Sequence, residues 1–271
     1  VTVVGLGPGD DTHLSPRAWA ALTRAHAVVG YKTYIDLVHP ALLEGKEVVV
    51  TGMRQELDRV RAAIDLARRG REVAVVSGGD AGVYGMAGLV FEMLERDGLL
   101  DEVRAEVVPG IPALAAAAAV LGAPLTHDFA VVSLSDLLTP WERIEARLDH
   151  AAAADFVIVL YNPRSRRRHW QLPRALEIIA RHRAPDTPVG LVRQACRPGQ
   201  SALVAPLSGF DPGAADMVSI VIVGNSCTRA HGGRMITPRG YMDKYDPPGP
   251  AAPPDADADA PRAAPPGARE A

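Results

Sequence analysis

VTVVGLGPGDD (Val1–Asp11) sets a run of β-formers directly against a glycine-rich turn. Val1 to Val4 read as a buried strand. Ser15-Pro16 follows shortly after, a helix start with Ser as N-cap and Pro in the first helical position. A strand, a tight turn and a helix make the opening unit of an α/β chain. The turn is not a dinucleotide fingerprint, which needs G-x-G-x-x-G with the third glycine inside the helix. The spacing here is Gly5-x-Gly7-x-Gly9, and Asp10 comes next. Pro8 lacks the backbone N–H that would hold a pyrophosphate, and Asp10 and Asp11 would repel one. No Gly-Lys-Ser/Thr follows, which also excludes a P-loop. The turn instead allows close backbone approach and is expected to aim the Asp10 carboxylate into a ligand cleft.

The same alternation continues outward from this stretch. AVVGY and EVVV read as short buried strands. RQELDRVRAAIDLARRG reads as a helix, with Leu57, Val60, Ile64 and Ala67 on one face and a stop at Gly70. EVAVVS is a strand, followed by the turn GGDAGVYG and a helix through GLVFEMLERDG. AEVVPG is a fifth strand, and PALAAAAAVLG is a helix of small residues. Strands alternating with helices predict a mostly parallel sheet. Beyond Ala123-Pro124 come FAVVSL, WERIEARLDHAAAA, DFVIVLYNP and LPRALEIIARHR. TPVGLVRQA, SALVAPL and MVSIVIVGN then follow with little helix between them, predicting a mixed sheet with hairpin returns. The expected organisation is an N-terminal α/β domain over 1–122, a C-terminal α/β domain over 123–246 and a disordered tail over 247–271. The tail composition, mostly Pro, Ala, Gly and Asp, cannot offset its ordering entropy. Two open sheets leave a cleft at the carboxyl ends of their strands, where ligands bind.

Composition narrows the function. The 271 residues are 48% hydrophobic, enough for packed cores, and carry a formal charge of −3. That charge argues against a general nucleic-acid binder. No apolar run reaches the length of a membrane span and no secretory signal is evident. Two cysteines in unrelated contexts, Cys196 and Cys227, fit a reducing cytoplasm rather than a disulfide framework. The histidines show neither HExxH nor paired spacing with cysteines, so no protein-bound metal is expected.

Five segments arrive in a fixed order: GLGPGD (5–10), SGGDAGVYG (77–85), VPGIPA (108–113), PLTHDFAVVSLSD (124–136) and LYNP (160–163). In this order they resemble the tetrapyrrole methylases, two-domain S-adenosyl-L-methionine-dependent enzymes of corrin and sirohaem synthesis. VGYKTYIDL, SLSDLLTPWERIEARL, LYNPRSRRR, VRQACRPGQ, VIVGNS and MITPRGY look like the precorrin-3B C(17)-methyltransferase branch. That branch methylates C(17) and contracts the ring to give precorrin-4 on the way to cobalamin. An oxygen-independent branch does the same to a cobalt-containing macrocycle. The uroporphyrinogen methyltransferases carry Arg and Glu in FGRGGEE after the GGD turn. Met86 and Leu89 stand there in this chain and cannot bind carboxylates, which argues against that earlier step.

The resemblance implies roles residue by residue. Leu6, Gly79, Asp80, Val83, Pro112 and Ala113 would contact the cofactor, leaving S-adenosyl-L-homocysteine as product. Asn162 would too, although it replaces the methionine of the family's LYMG. A macrocycle bearing acetate and propionate groups calls for local positive charge, and guanidinium pairs bidentately with carboxylate. Arg164, Arg166, Arg167 and Arg168 follow one strand end, while Arg193 and Arg197 flank the next. Tyr31, Lys32 and Tyr34 supply ring faces and a cation, and Ser133, Ser135 and Asp136 end the strand FAVVSLSD. Ring contraction needs a base and an acid, for which Asp10 and His127 are the candidates. The family forms homodimers. Another precorrin methylase, a nicotinamide-dependent oxidoreductase and a non-catalytic tetrapyrrole carrier are the competing readings.

Overall fold

Five short runs rich in valine form the first sheet: β1 (Thr2–Gly5), β2 (Ala27–Tyr31), β3 (Glu47–Thr51), β4 (Val73–Ser77) and β5 (Glu106–Val108). They pair in the order β3-β2-β4-β1-β5, every pair parallel. Such sheets are covered on both faces, so their strands read as unbroken apolar runs. All of β4 is buried. The helices α1 (Pro16–Arg24), α2 (Lys32–Ile35), α3 (Glu56–Arg68) and α4 (Ala87–Arg96) connect the strands. One face packs Val3, Val29 and Val75 against Val60, Ile64, Val90 and Leu94. The other packs Val4, Val28 and Val76 against Leu22 and Ile35. Ser15 caps α1 as expected, its Oγ accepting from Ala18 N at 3.1 Å.

Two expectations are corrected. EVVV forms the edge strand β3, so Val48 and Val50 are exposed rather than buried. Leu57 lies in the first turn of α3 and is exposed, while Val60 and Ile64 carry the buried stripe.

The chain continues through α5 (Ala113–Leu121), β6 (Gly122–Ala123), β7 (Phe129–Ser133), α6 (Trp141–Ala153), β8 (Val157–Tyr161) and α7 (Gln171–Ala180). It ends with β9 (Pro188–Arg193), β10 (Ser201–Pro206), β11 (Ser219–Val223), β12 (Arg229–His231), β13 (Arg234–Ile236) and α8 (Tyr241–Tyr245). A second five-stranded sheet has the order β10-β9-β11-β8-β7. Only β7 and β8 are parallel neighbours; the other pairs are antiparallel, giving the mixed sheet expected. A small third sheet, β12-β13-β6, had no counterpart in the sequence reading. Its strands are two or three residues long, too short to show a period.

This computed structural model describes residues 1–246, and the expected tail from 247 lies outside the described residues. Contacts group Val1–Thr237, with all three sheets, into one unit and Pro238–Ala271 into another. The second unit contributes the short helix α8 to the described residues. Among those residues no helix is long and apolar enough to cross a membrane.

The turns after β1, β4 and β5 meet main chain to main chain. Leu6 N donates to Ser77 O at 2.9 Å, and Gly7 and Gly79 exchange N–H···O bonds of 3.0 and 2.8 Å. A Cβ on Gly5 would sit 2.6 Å from Gly110 N and 2.8 Å from Gly79 O. A Cβ on Gly110 would press on the Gly79 carbonyl oxygen and lie 2.8 Å from the Gly5 carbonyl carbon. Gly110→Ala should therefore destabilise by at least the ~1–3 kcal/mol of an overpacked core. Gly88→Ala, in α4 with open space around it, should stabilise by up to about 1 kcal/mol. Urea denaturation of both variants checks this, and equal midpoints would contradict the close approach.

Candidate functional site

Parallel strands end together, so β1 to β5 deliver their following turns to one edge of the first sheet. In the second sheet β7, β8 and β9 run the same way and β11 runs opposite. The carboxyl ends of β8 and β9 therefore lie beside the amino end of β11. One cavity of about 350 Å³ collects residues from both edges, a size within the range of small-molecule sites. The first sheet contributes Pro8, Tyr31, Tyr34, Met53, Gly79, Asp80, Val83, Tyr84 and Ala113. The second contributes Tyr161, Asn162, Gln194, Ala195, Arg197 and Met217 to Ile220.

Of the sequence candidates, the cavity brings together Gly79, Asp80, Val83, Ala113, Asn162, Tyr31 and Tyr34. Leu6 and Pro112 are held in adjoining turns. Leu6 is buried, and Pro112 is the N-cap residue of α5. Lys32, Ser133, Ser135, Asp136, Arg164, Arg193, Asp10 and His127 do not line it.

Asp80 is a staple. Oδ1 accepts from Gly82 N at 2.7 Å and Val83 N at 3.0 Å; Oδ2 accepts from Gly110 N at 2.9 Å. One carboxylate thus fixes the turn after β4 and ties it to the turn after β5, while still placing a negative charge at the cavity wall.

Asp10 caps the short helical turn Asp11–His13. Its Oδ1 accepts from the Thr12 hydroxyl, from Thr12 N at 2.9 Å and from His13 N at 3.2 Å, and lies 2.7 Å from His13 Nδ1. The Thr12 and His13 side-chain bonds hold this carboxyl below its ordinary range. A carboxylate favoured in its charged form is a weaker base. His127 Nδ1 accepts from Asp128 N at 2.8 Å.

The arginines divide sharply. Arg164 Nη1 donates to Gly213 O at 2.7 Å. Arg193 grips Asp216 Oδ2 through Nε at 2.9 Å and Nη2 at 2.5 Å. Arg168 braces the cavity floor from behind, with Nε on Asn162 O at 2.8 Å and Nη1 on Ser135 Oγ at 3.3 Å. Asn162 Nδ2 in turn donates to Ser133 Oγ at 3.0 Å. Ser133 and Ser135 thus hold a cavity residue in place. Gln171 Nε2 donates to Asp136 at 3.0 Å, and Lys32 pairs with Asp36 at 3.0 Å.

Sequence reasoning missed Tyr84, Tyr161 and Gln194. The rings of Tyr84 and Tyr161 meet at 5.1 Å, and Tyr84 Oη donates to Val131 O at 3.2 Å. Leu114 N donates to Tyr161 Oη at 2.9 Å, so a second-sheet phenol satisfies an amide at the start of α5. Tyr84, Asn162 and Gln194 have φ of 52°, 52° and 48°. Such left-handed conformations in non-glycine residues cost of order 1 kcal/mol or more each and cluster at functional sites. The sequence signal was present only as GGDAGVYG and LYNP; backbone strain has no signature in residue type.

Residues 1–211 match the family Tetrapyrrole (Corrin/Porphyrin) Methylases. A Salmonella typhimurium protein named "Probable cobalt-factor III C(17)-methyltransferase" is 50% identical over 89% of this chain and 99% of its own length. The "Cobalt-factor III methyltransferase" of Priestia megaterium is 46% identical over 90% of this chain, which spans only 45% of that relative's length. The crystal structure of the methyltransferase CobJ superposes with a TM-score of 0.84 at 43% identity, covering 88% of this chain and 98% of that one. A Thermus thermophilus uroporphyrin-III C-methyltransferase complexed with S-adenosyl homocysteine gives a TM-score of 0.61 at 27% identity, covering 82% and 96%.

The Asp10 environment makes a pH prediction. A depressed folded-state pKa contributes stability above the unfolded aspartate pKa, and that contribution is lost as pH falls through the folded value. His13→Ala should raise the Asp10 pKa toward the ordinary range and shrink the acid-dependent loss of stability. Carboxyl-carbon NMR titration of Asp10 in both proteins checks it, and an unchanged pKa would contradict the assigned bond.

Proposed function

Since the chain belongs to the tetrapyrrole methylases, we propose that it transfers a methyl group from S-adenosyl-L-methionine to C(17) of a precorrin-3B-type macrocycle and contracts the ring, in cobalamin synthesis. The observation that carries this reading is the shared cavity, where the turns after β1, β4 and β5 face the ends of β8, β9 and β11. The cofactor supplies a methyl group on a positively charged sulfur, already activated for in-line displacement.

The residues present fit that cofactor. Gly79 and Ala113 offer main chain and small side chains at the wall, and a Cβ on Gly79 would reach within 3.5 Å of Ala113 N. Asp80 supplies the one carboxylate among the cavity-lining residues, a favourable neighbour for a sulfonium. A rigid backbone cradle suits chemistry in which alignment provides most of the acceleration, worth up to ~7–11 kcal/mol. Tyr31, Tyr34, Tyr84 and Tyr161 offer flat ring surfaces for a macrocycle. Asp10 and His127 are proposed for proton transfer during contraction, near the substrate edge rather than at the cofactor.

The relatives named for cobalt-factor III, at 46% and 50% identity, favour a cobalt-containing macrocycle over metal-free precorrin-3B. The chain is proposed to act in the cytoplasm as a homodimer.

Incubation with ¹³C-methyl S-adenosyl-L-methionine and either cobalt-factor III or precorrin-3B tests the reading. One labelled methyl should appear at C(17) by mass and carbon NMR, with the contracted skeleton. Asp10→Asn and His127→Ala should bind S-adenosyl-L-homocysteine normally and slow product formation by about 10²–10⁴-fold. Label reaching neither macrocycle would overturn the proposal.

A further inference from the structure

The cavity is lined by a single cationic side chain among the described residues, Arg197. It stands in the turn after β9. Its Nε donates across the cleft to the carbonyl oxygen of Pro8, in the turn after β1. Its Nη1 and Nη2 make no hydrogen bond or ion pair with any described residue. The half-buried guanidinium thus has its inner edge anchored and its outer edge unused, with no carboxylate to neutralise it. Burial holds its pKa below the ordinary arginine value, and the phenol of Tyr34 acts on it in the opposite direction.

Tyr34 lines the same cavity. Its ring lies over Gly78, where a Cβ would come within 2.5 Å of it. Its hydroxyl also has no hydrogen-bond partner among the described residues. Behind it, Tyr31 packs edge-on at 5.6 Å, and the Arg59 guanidinium sits 5.9 Å from the Tyr31 ring. Arg59 is 3% exposed and bonds only neutral acceptors: Thr51 Oγ1, Gly52 O and Met86 Sδ. Arg197, with no ion-pair partner among the described residues, therefore biases this wall toward an anion, while the Arg59 guanidinium outside the lining feels the Glu56 carboxylate. Among the cavity-lining residues the opposite sign is confined to Asp80, whose oxygens are already taken by three backbone amides. Of the other cations proposed for substrate, Arg164 is engaged on Gly213 O, Arg193 on Asp216, Arg168 on Asn162 O and Lys32 on Asp36, while Arg166 and Arg167 are exposed and do not line the cavity.

We infer that Arg197, with the Tyr34 hydroxyl beside it, is the specificity residue that receives one side-chain carboxylate of the tetrapyrrole. The inference rests on the methyltransferase reading for its ligand class. Because the Pro8 bond fixes the plane of the guanidinium, the two Nη groups present a preset fork, the geometry carboxylate prefers. The same bond links carboxylate capture to the position of the turn after β1. Lysine cannot reproduce both contacts.

The test compares uroporphyrin III, a tetrapyrrole octacarboxylate, with its octamethyl ester as probes of wild type, Arg197→Gln, Arg197→Lys and Tyr34→Phe. Binding is read by fluorescence, and thermal unfolding confirms that each variant is folded. Arg61→Gln, outside the cavity and paired with Asp58 on the surface, controls for lost net charge. Wild type should bind the acid, with Arg197→Gln about 10- to 100-fold weaker, the factor carried by a hydrogen bond to a charged group. Arg197→Lys should recover only part of the affinity, Tyr34→Phe should lose less than Arg197→Gln, and Arg61→Gln should match wild type. The ester should bind wild type and Arg197→Gln alike. Equal acid affinity for wild type and Arg197→Gln, or the same loss for acid and ester, would overturn the assignment. If wild type binds S-adenosyl-L-homocysteine but no tetrapyrrole acid, the macrocycle reading fails and takes this assignment with it. Should Arg197→Gln fail to fold, Arg197→Lys decides: acid affinity equal to wild type would overturn the role of the fork.

Discussion

The contact on which the site depends is one of backbone against backbone. Gly5 and Gly110 close on one another and on the Gly79 carbonyl at distances that admit no Cβ on either, and Asp80 ties two of the three turns together. The parallel order β4-β1-β5 brings these turns side by side, and register makes them level, with Gly5 opposite Ser77 and Val4 opposite Val108. A wall of main chain results, lined by small residues and rigid because Leu6 N, Gly7, Gly79 and the amides of Gly82, Val83 and Gly110 are paired within it. A cofactor held mostly by main chain needs such a wall, since flexible side chains would lose entropy on every binding event.

The second sheet completes the cavity through few but specific links. Arg197 reaches Pro8, Tyr84 reaches Val131, and Tyr161 satisfies the amide of Leu114. The first two cross between the turns of one sheet and the other; the third ties the second sheet to α5, which packs against it. Of the six non-glycine residues with positive φ among the described residues, three, Tyr84, Asn162 and Gln194, line the same cavity. Arg168, hydrogen-bonded to the Asn162 carbonyl, is one of the groups that sustain that strain. Charge is placed sparingly: one carboxylate consumed by amides and one guanidinium with an open edge.

Much of this was legible in the residues. Apolar runs bounded by glycine gave the first sheet, because parallel strands are buried on both faces. GGDAGVYG and VPGIPA pointed to the cavity through the family resemblance that they carry. What stayed hidden depends on distance across the fold. RSRRRHW looks like a carboxylate trap, yet Arg164 and Arg168 are drawn onto carbonyls by neighbouring loops. Arg193 and Arg197 are equivalent in sequence, and only Asp216 and Pro8 distinguish them. EVVV has a core composition but takes the sheet edge, a position fixed by strand order rather than by its own residues. The sheet β12-β13-β6 pairs segments over a hundred positions apart through strands too short to announce themselves.

The central claim is that the turns at the carboxyl ends of the two sheets hold the cofactor through main chain. Amide chemical shifts recorded during titration with S-adenosyl-L-homocysteine test it most directly. The largest changes should fall on Leu6, Gly79, Val83, Ala113, Asn162 and Ala195. A second cavity, of about 460 Å³, lies at the opposite ends of the first-sheet strands, beside Arg24, Arg71 and Glu102. Shifts concentrated there, or none at saturating ligand, would contradict the account.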